Sequence, residues 1–321
     1  MRDGHMKVVV TGATGYLGLG VVKALASAGH EVVALARTGR SDWPVGVHAR
    51  KMDLADGDGL RSALRGADAV CHLAALMRVR TPHAVGDYYR TNVTGTVDLL
   101  DAMVAERAGT GRPMRIVFLS SAAVYGPGQG RPLRESDATR PTGVYGRTKL
   151  AAEHAITSYA EVGAVDAVTL RLFNAAGVTP AGRAPDGGSL IARALDCAAH
   201  AGTVRVHGDG SAIRDFVHVA DVVDAVGLAL GAVAEGPVRT YNIGAVPASV
   251  TEIIDTAQRV SGRTIAVDHH PAHPNETPYS VADTTAARER LGWAPRYTEL
   301  EPMIGDHWRR VHAERTTEAG A

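Results

Sequence analysis

Tyr145 and Lys149 stand four residues apart in "GVYGRTKL", a spacing that puts both side chains on one face of a helix. A phenol ionises near pH ~10 and is a poor base at neutral pH. An ammonium group beside it favours the phenolate and brings proton transfer within range. Upstream, "FLSSAAVYG" sets Ser121 at the end of an apolar run, where its hydroxyl could bond the oxygen that reacts. On an arbitrary helix such a tyrosine and lysine are simply an exposed pair. That bland account gives way only if a redox group is held close by.

The segment "VVVTGATGYLGLGVVKALASAG" supplies a reason to expect one. Gly12, Gly15 and Gly18 fall where an apolar strand hands over to a helix, although glycine weakens both elements. A tight turn that brings backbone N–H groups against a phosphate at a helix N-terminus explains the cluster. An ordinary βα loop is the alternative. The strand–turn–helix context inside a βαβ unit is what a dinucleotide site demands. The positive ring of a bound nicotinamide would then help the phenolate in the same sense as Lys149. In "KMDLAD", Asp53 is placed to accept hydrogen bonds from an adenine amino group; a turn cap accounts for it equally well. At the end of the second strand, "ALARTGR" has Ala36 where an acid would bind a ribose diol, with Arg37 next to it. A guanidinium suits a 2′-phosphate, which tilts the expectation from NAD to NADP; a solvated arginine is the other reading.

Elements able to position these residues alternate along the first half. Strands are expected at "KVVVTG", "EVVALAR", "DAVCHLAA", "RIVFLSS" and "DAVTLRLFN", and helices at "LGLGVVKALASAG", "DYYRTNVTGTVDLLDAMVAERAG" and "YGRTKLAAEHAITSYAEVG". A short segment is expected at "DGLRSALRG". Strands nearly continuous in Val, Ile and Leu are buried on both faces, as in a parallel sheet covered by helices. The order predicts an α/β fold, a Rossmann-like doubly wound parallel sheet with a smaller C-terminal substrate-binding lobe. The expected division is 1–178 for the dinucleotide-binding domain, which takes back parts of about 213–243, and 179–321 for the lobe. In the lobe a helix is expected at "LIARALDCAAHAG", a strand at "TVRVHG" and a helix after "FVHVADVVDAVGLAL". Ser249 and Glu252 read as a capping box, and the last residues, "AERTTEAGA", as frayed.

Bulk composition narrows the partners. The chain has 321 residues, 45% hydrophobic and 21% charged, with 34 Lys+Arg against 34 Asp+Glu. No net field draws nucleic acid or an anionic membrane, so an anionic ligand needs a local site. The two cysteines, Cys71 and Cys197, read as small buried hydrophobes. His269, His270 and His273 in "DHHPAHP" lack metal-ligand spacing and read as a proline-rich loop, so no metal is expected. No apolar run reaches a membrane span, and the lysine before "VVV" leads at once into the glycine turn, unlike a signal peptide. The expectation is a cytoplasmic protein.

The pieces "TGATGYLG", "HLAA", "NVTGT", "SSAAVYG", "YGRTK", "RLFNAAG", "GDGSAIRDFVHVADVVDA", "YNIGA" and "LGWAP" occur in this order from about residue 7 to 295. In them the chain resembles the extended short-chain dehydrogenase/reductase family, in its nucleotide-sugar epimerase and dehydratase branch. The resemblance implies that Gly12, Gly15, Tyr16, Leu17 and Gly18 carry the cofactor's pyrophosphate turn. It places Arg37, Asp53, Leu54, Leu73, Ala74, Ala75, Asn92 and Phe173 around the rest of that cofactor. Tyr145 would be the acid/base, Lys149 its electrostatic partner and a ribose ligand, and Ser121 the hydroxyl donor. Asn174 and Arg214 would hold a substrate diphosphate, although a salt bridge from Arg214 to Asp215 or Asp221 is an alternative. A homodimer through the helices of "NVTGTVDLL" and "YGRTKLAAEHAI" is also implied.

Three departures bear on activity. Family dehydratases follow the strand-terminal Ser/Thr with Asp-Glu, where this chain has Ala122 and Ala123, so water elimination is not expected. The arginine that often gives the diphosphate a second clamp is missing from "HPAHPNETPYS", which offers His273 and Glu276. The ribose-binding acid is absent at Ala36. The leading expectation is an NAD(P)-dependent epimerase of a nucleotide-activated sugar, working by transient hydride transfer. An NADPH-dependent ketoreductase of a nucleotide-linked keto-sugar or related carbonyl compound is the runner-up. A non-catalytic dinucleotide sensor is the third reading.

Overall fold

The computed structural model describes residues 5–39, 42–77, 84–108, 112–128, 130–179, 182, 184–185, 189–233, 236, 238–272 and 277–318. The first stretch of chain runs β1 (Lys7–Thr11), α1 (Tyr16–Ser27), β2 (Glu31–Ala36), β3 (Val47–Lys51), α2 (Gly57–Leu64) and β4 (Ala69–His72). Next come α3 (Val85–Tyr89), a π-helical turn (Arg90–Thr94), α4 (Gly95–Arg107) and β5 (Met114–Ser121). A 3-10 turn (Ala122–Val124), α5 (Val144–Glu161) and β6 (Val165–Leu172) follow. Beyond these lie β7 (Asn174–Ala176), α6 (Leu190–His200), β8 (Thr203–His207), β9 (Ile213–His218), α7 (Val219–Gly231) and β10 (Val238–Ile243). The chain closes with β11 (Val246–Ser249), α8 (Val250–Ser261), β12 (Ala266–His270), β13 (Tyr279–Ser280), α9 (Thr285–Arg290) and α10 (Leu300–Glu318).

Two compact units result. The first comprises Met1–Gly126, Ala138–Arg171 and Val223–Tyr241; the second comprises Pro127–Asp137, Leu172–Val222 and Asn242–Ala321. The main sheet has seven strands in the order β10-β6-β5-β4-β1-β2-β3. From β3 through β2, β1 and β4 to β5 the pairing is parallel. Val8, Val9 and Val10 are all fully buried, which explains a strand without polar alternation. The chain leaves β1 for β2 on one side and returns to β4 on the other. The β1–β4 gap is therefore the sheet's switch point, and loops after those strands meet at its carboxyl edge. One face is sealed by Leu60, Leu64, Leu99, Met103, Phe118 and Ile156 from the helices and strands of this unit. At the sheet's other end Asp166 ties Arg115 and Arg239 together through salt bridges.

In the second unit β11, β9 and β13 form a small sheet that β7 joins through β9. Its core gathers Ile191, Leu195, Val206, Phe216, Ile253 and Trp308. The capping box opens α8 as expected: the Ser249 hydroxyl accepts from the Glu252 N–H at 3.1 Å while Glu252 accepts from the Ser249 N–H at 2.7 Å.

Several local expectations need correction. His269 and His270 end a real strand, β12, paired in parallel with β8, instead of lying in a proline-rich loop. The lack of any buried face in "AVDHH" hid that strand, because both its faces are largely solvated. His273 and Glu276 lie outside the described residues, and among the described residues no cluster of potential metal ligands forms. "AERTTEAGA" was expected to fray, yet α10 continues to Glu318; residues 319–321 lie outside the described set. The single long helix expected at "DYYRTNVTGTVDLLDAMVAERAG" is interrupted by the π turn, which carries Asn92. Cys71 is fully buried, whereas Cys197 is only half-buried; both are free thiols.

Candidate active site

The glycine turn comes first, because its backbone decides whether a phosphate fits. Gly12 has φ +68°, and a Cβ there would lie 2.8 Å from the Ala74 backbone nitrogen. A Cβ on Gly18 would come within 2.1 Å of the Gly12 carbonyl oxygen, so the start of α1 packs directly on the turn. Gly15 is the N-cap of α1 and has no side chain to cap it. That N-terminus thus brings the helix's positive end and no acceptor of its own, a geometry suited to an anion. The residues present fit a dinucleotide's pyrophosphate. Tyr16 and Leu17, half-buried, form the first turn of α1.

Ala74 is held on the turn by more than contact: its N–H donates to Thr11 Oγ1 at 3.1 Å. Thr11 Oγ1 is 2.7 Å from His72 Nδ1, and His72 Nε2 is 2.9 Å from Thr96 Oγ1, which donates to the Asn92 carbonyl at 2.7 Å. Because the Thr96 proton is committed to that carbonyl, His72 must donate from Nε2 and accept at Nδ1. Burial, with the nearby Lys149 charge, pushes His72 down to about 3, so it remains neutral. Leu73, Ala74 and Ala75 follow β4 and are half-buried.

Asn92 is nearly inaccessible and fully engaged. It accepts from the Leu76 N–H at 2.6 Å and donates to the Leu76 carbonyl and Thr148 Oγ1, both at 3.0 Å. Thr148 in turn donates to the Tyr145 carbonyl at 3.0 Å. Asn92 therefore ties the loop after β4 to the first turn of α5, and it is placed to act on the cofactor region through that loop. Asn92 lies within the π turn.

Tyr145 and Lys149 share a face of α5, and Ser121, at the end of β5, is the neighbour that favours the ionised form of the phenol. Gly146 lets α5 approach this strand end, since a Cβ there would sit 2.4 Å from the Ala123 carbonyl oxygen. Lys149 is fully buried, its ammonium 3.9 Å from the centroid of the Phe118 ring. The electrostatics differ from the expectation of a phenol made acidic by its neighbour. Burial pushes Tyr145 up to about 12, against a smaller lowering by Ser121, and pushes Lys149 down to about 7 despite the field of Glu153. Desolvation dominates at both groups, over the influence of Ser121 on the phenol and of Glu153 on the ammonium. The protein alone thus holds a neutral phenol beside a lysine that titrates near neutrality.

The remaining expected cofactor contacts are less enclosed. Ala36 ends β2 almost buried, and Arg37 after it is exposed. Asp53 is exposed and spends Oδ1 on the Ala55 N–H at 3.1 Å, the turn-cap arrangement. Leu54 packs toward Gly95 at the start of α4. In the second unit, Phe173 is buried and its N–H donates to the Ile243 carbonyl at 3.0 Å. Asn174 on β7 donates to the Asp215 carbonyl at 2.8 Å, and Arg214 on β9 is half-buried with Nη1 on the Ile213 carbonyl at 3.0 Å. The carboxylates considered as salt-bridge partners of Arg214 are engaged by backbone amides. Asp215 accepts from Ala245 and Ala282 at 2.7 and 2.9 Å, and Asp221 accepts from Arg296 and Tyr297 at 3.0 and 3.1 Å.

Sequence reasoning overlooked the buried group behind Lys149: Glu153, Arg171, Ser120 and Tyr125. Glu153 accepts from Arg171 Nη2 at 2.8 Å and from Ser120, and Arg171 Nη1 donates to the Tyr125 hydroxyl at 3.0 Å. The available signal was the spacing of Glu153, a further four residues along the Tyr145–Lys149 face.

Comparison with known proteins agrees with this geometry. The family described as NAD dependent epimerase/dehydratase matches residues 8–244. The UDP-glucose 4-epimerase of Streptomyces lividans is 36% identical over 319 residues, spanning 94% of this chain and 95% of that protein. The solved UDP-glucose 4-epimerase of Brucella ovis, in complex with NAD, matches with a TM-score of 0.84 at 32% identity, covering 94% of this chain and 98% of the other. The UDP-glucose-4-epimerase of Stenotrophomonas maltophila, with bound NAD and formylated UDP-arabinopyranose, matches with a TM-score of 0.86 at 30% identity, covering 98% of this chain and all (100%) of the other. A glycine turn shaped for a dinucleotide, a Ser–Tyr–Lys group beside the same sheet edge and a match over most of the length lead to one conclusion: this chain belongs to the NAD-dependent epimerase/dehydratase family of extended short-chain dehydrogenases/reductases.

Proposed function

We propose that this protein is an NAD-dependent epimerase that inverts a secondary alcohol of a UDP-linked sugar. The observation that carries the reading is fully buried Lys149 one helical turn from Tyr145 on α5, the helix whose Gly146 packs against the turn that follows Ser121. The names of the solved and sequenced relatives give the substrate class and point to the sugar's 4-position.

When bound, the nicotinamide dinucleotide supplies the hydride acceptor and donor. The chain's own residues handle the proton. Ser121 holds the reacting oxygen by a hydrogen bond, and Tyr145 Oη, in the phenolate form that the positive ring of a bound nicotinamide and the Lys149 ammonium would favour, takes up that oxygen's proton and returns it. Lys149, as ammonium, offsets the charge of that phenolate before it accepts the proton and again after it gives the proton back. Gly12, Gly15 and Gly18 cradle the pyrophosphate, and Asn92 holds the Leu73–Ala75 loop beside it. Phe173, Asp53 and Leu54 complete the cofactor's surroundings, while Asn174 and Arg214 bind the substrate diphosphate. Water elimination is not part of the reading: Ala122 and Ala123, in the 3-10 turn after Ser121, have no proton to exchange. A homodimer through α4 and α5 and a cytoplasmic location accompany this proposal, resting on the family resemblance.

Exposed Arg37 favours a second reading, an NADPH-dependent ketoreductase, because its guanidinium is open to a 2′-phosphate. The two enzymes, and a non-catalytic dinucleotide sensor, separate in one experiment. The protein is incubated with a panel of UDP-sugars deuterated at C4, and products are resolved by chromatography. An epimerase inverts one of them, retains the deuterium at that carbon and consumes no nucleotide. Stoichiometric NADPH consumption with a keto-sugar would establish the reductase. Tight binding of dinucleotide with no turnover of any sugar would leave the sensor.

A further inference from the structure

Lys149 is the most deeply buried cation of the first unit's active-site region, and burial of a charge in apolar surroundings has to be compensated. Its surroundings come from four elements. On its own helix, α5, Tyr145 lies one turn before it and Glu153 one turn after. From β5 comes the Phe118 ring, 3.9 Å from the ammonium, and Ser120 of the same strand donates to Glu153. From β4 comes His72, neutral, which feels the Lys149 charge. From β6 comes Arg171, a second buried cation. Among these described neighbours Glu153 carries the only carboxylate.

We propose that Glu153 is a positioning residue for the Tyr145–Lys149 pair: its carboxylate, anchored by Arg171 and Ser120, keeps Lys149 an ammonium group in a pocket that would otherwise neutralise it. The inference rests on the proposed roles of Tyr145 and Lys149. Its geometry is specific. Residues 145, 149 and 153 recur every four along one helix face, so the three side chains leave α5 on the same side. Glu153 cannot swing away, because Arg171 grips both oxygens, with Nε to Oε1 at 3.1 Å and Nη2 to Oε2 at 2.8 Å, and Ser120 donates to Oε1. Arg171 is itself fixed by the Tyr125 hydroxyl at 3.0 Å and lies 4.9 Å from the centroid of that ring. Arg171 thus pins the carboxylate in place. The field of Glu153 opposes the desolvation that drives Lys149 down to about 7. Without it, the lysine would lose its proton below physiological pH.

The sequence contains four lysines, Lys7, Lys23, Lys51 and Lys149, so lysine labelled with ¹³C at Cε gives a spectrum simple enough to titrate site by site. The Lys149 signal is assigned by its loss in Lys149→Met. In the purified full-length protein, Glu153→Gln is expected to lower the Lys149 midpoint by about one pH unit, the effect of removing an opposite charge at short range. Above both midpoints that leaves about tenfold less ammonium. Glu153→Asp, which keeps the charge, is expected to restore part of the shift. If Glu153→Gln does not fold because Arg171 is left uncompensated, Glu153→Gln with Arg171→Met removes the pair together and should show a smaller downward shift, because a cation that disfavours the ammonium is lost with the carboxylate. The alkaline limb of kcat/KM should move with the midpoint. An unchanged midpoint overturns the proposal. So does an upward shift toward an ordinary lysine near ~10.5, the signature of water entering a loosened core. A lowered midpoint with an unmoved kcat/KM limb supports Glu153 as described and refutes the role of Lys149 in turnover.

Discussion

Gly12 and Gly66 share a backbone angle but not a neighbourhood, and the contrast measures what the glycine turn demands. Both have φ +68°; a Cβ on Gly66 would meet nothing within 4 Å, whereas one on Gly12 would lie 2.8 Å from the Ala74 backbone nitrogen. Gly66→Ala therefore reports the left-handed strain alone, about 1–2 kcal/mol. Gly12→Ala adds a collision with backbone that has no rotamer to escape into, worth a further ~1–3 kcal/mol, for a total of about 2–5 kcal/mol. Gly57, in the first turn of α2 with open space around it, is the control, and Gly57→Ala should be neutral or stabilising by up to ~1 kcal/mol. Urea unfolding followed by far-UV circular dichroism ranks the three variants, and calorimetry measures NAD binding. Gly12→Ala alone should lose NAD affinity, at least ~10-fold, since relieving the collision moves the turn from Ala74. Equal midpoints for Gly12→Ala and Gly66→Ala would refute the close approach on which the cofactor cradle rests.

Tyr145→Phe should retain NAD binding and lose about 10²–10⁴-fold in kcat, and near-normal turnover would remove the phenol from the mechanism. Arg37→Ala should weaken NADP binding and leave NAD unchanged; a constant ratio of the two affinities would show that Arg37 meets no 2′-phosphate. Asp166→Ala should cost about 3–5 kcal/mol in urea unfolding, because it strands the largely buried Arg115 and Arg239 without their shared carboxylate. A loss below ~1 kcal/mol would mean that water reaches both guanidinium groups.

The parallel sheet was legible because its strands carry unbroken apolar runs: "KVVVT" needs no partner to declare that both faces are buried. The glycine spacing and the Tyr145–Lys149 interval were legible for a related reason, since each is a short-range pattern that a single turn or helix imposes. β12 was not, as its exposed "AVDHH" carries no hydrophobic period and exists through its pairing with β8. The π turn at Arg90–Thr94 escaped notice because one extra residue in a helix leaves no compositional mark. Asp53 shows the opposite limit: sequence allowed an adenine contact or a turn cap, and the structure shows its carboxylate capping the turn at Ala55.

Sequence by itself determined the residue types that can do this chemistry and the local elements that carry them. Tertiary structure alone decided their ionisation. Whether Tyr145 is acidic or Lys149 charged depends on how much water the surrounding strands exclude and on which distant side chains they bring in. Glu153 follows Lys149 by one turn of α5, but Phe118 reaches Lys149 from β5 and Arg171 reaches Glu153 from β6, and only folding brings those strands to the helix. Desolvation is a property of the packed volume, and no spacing along the chain encodes it.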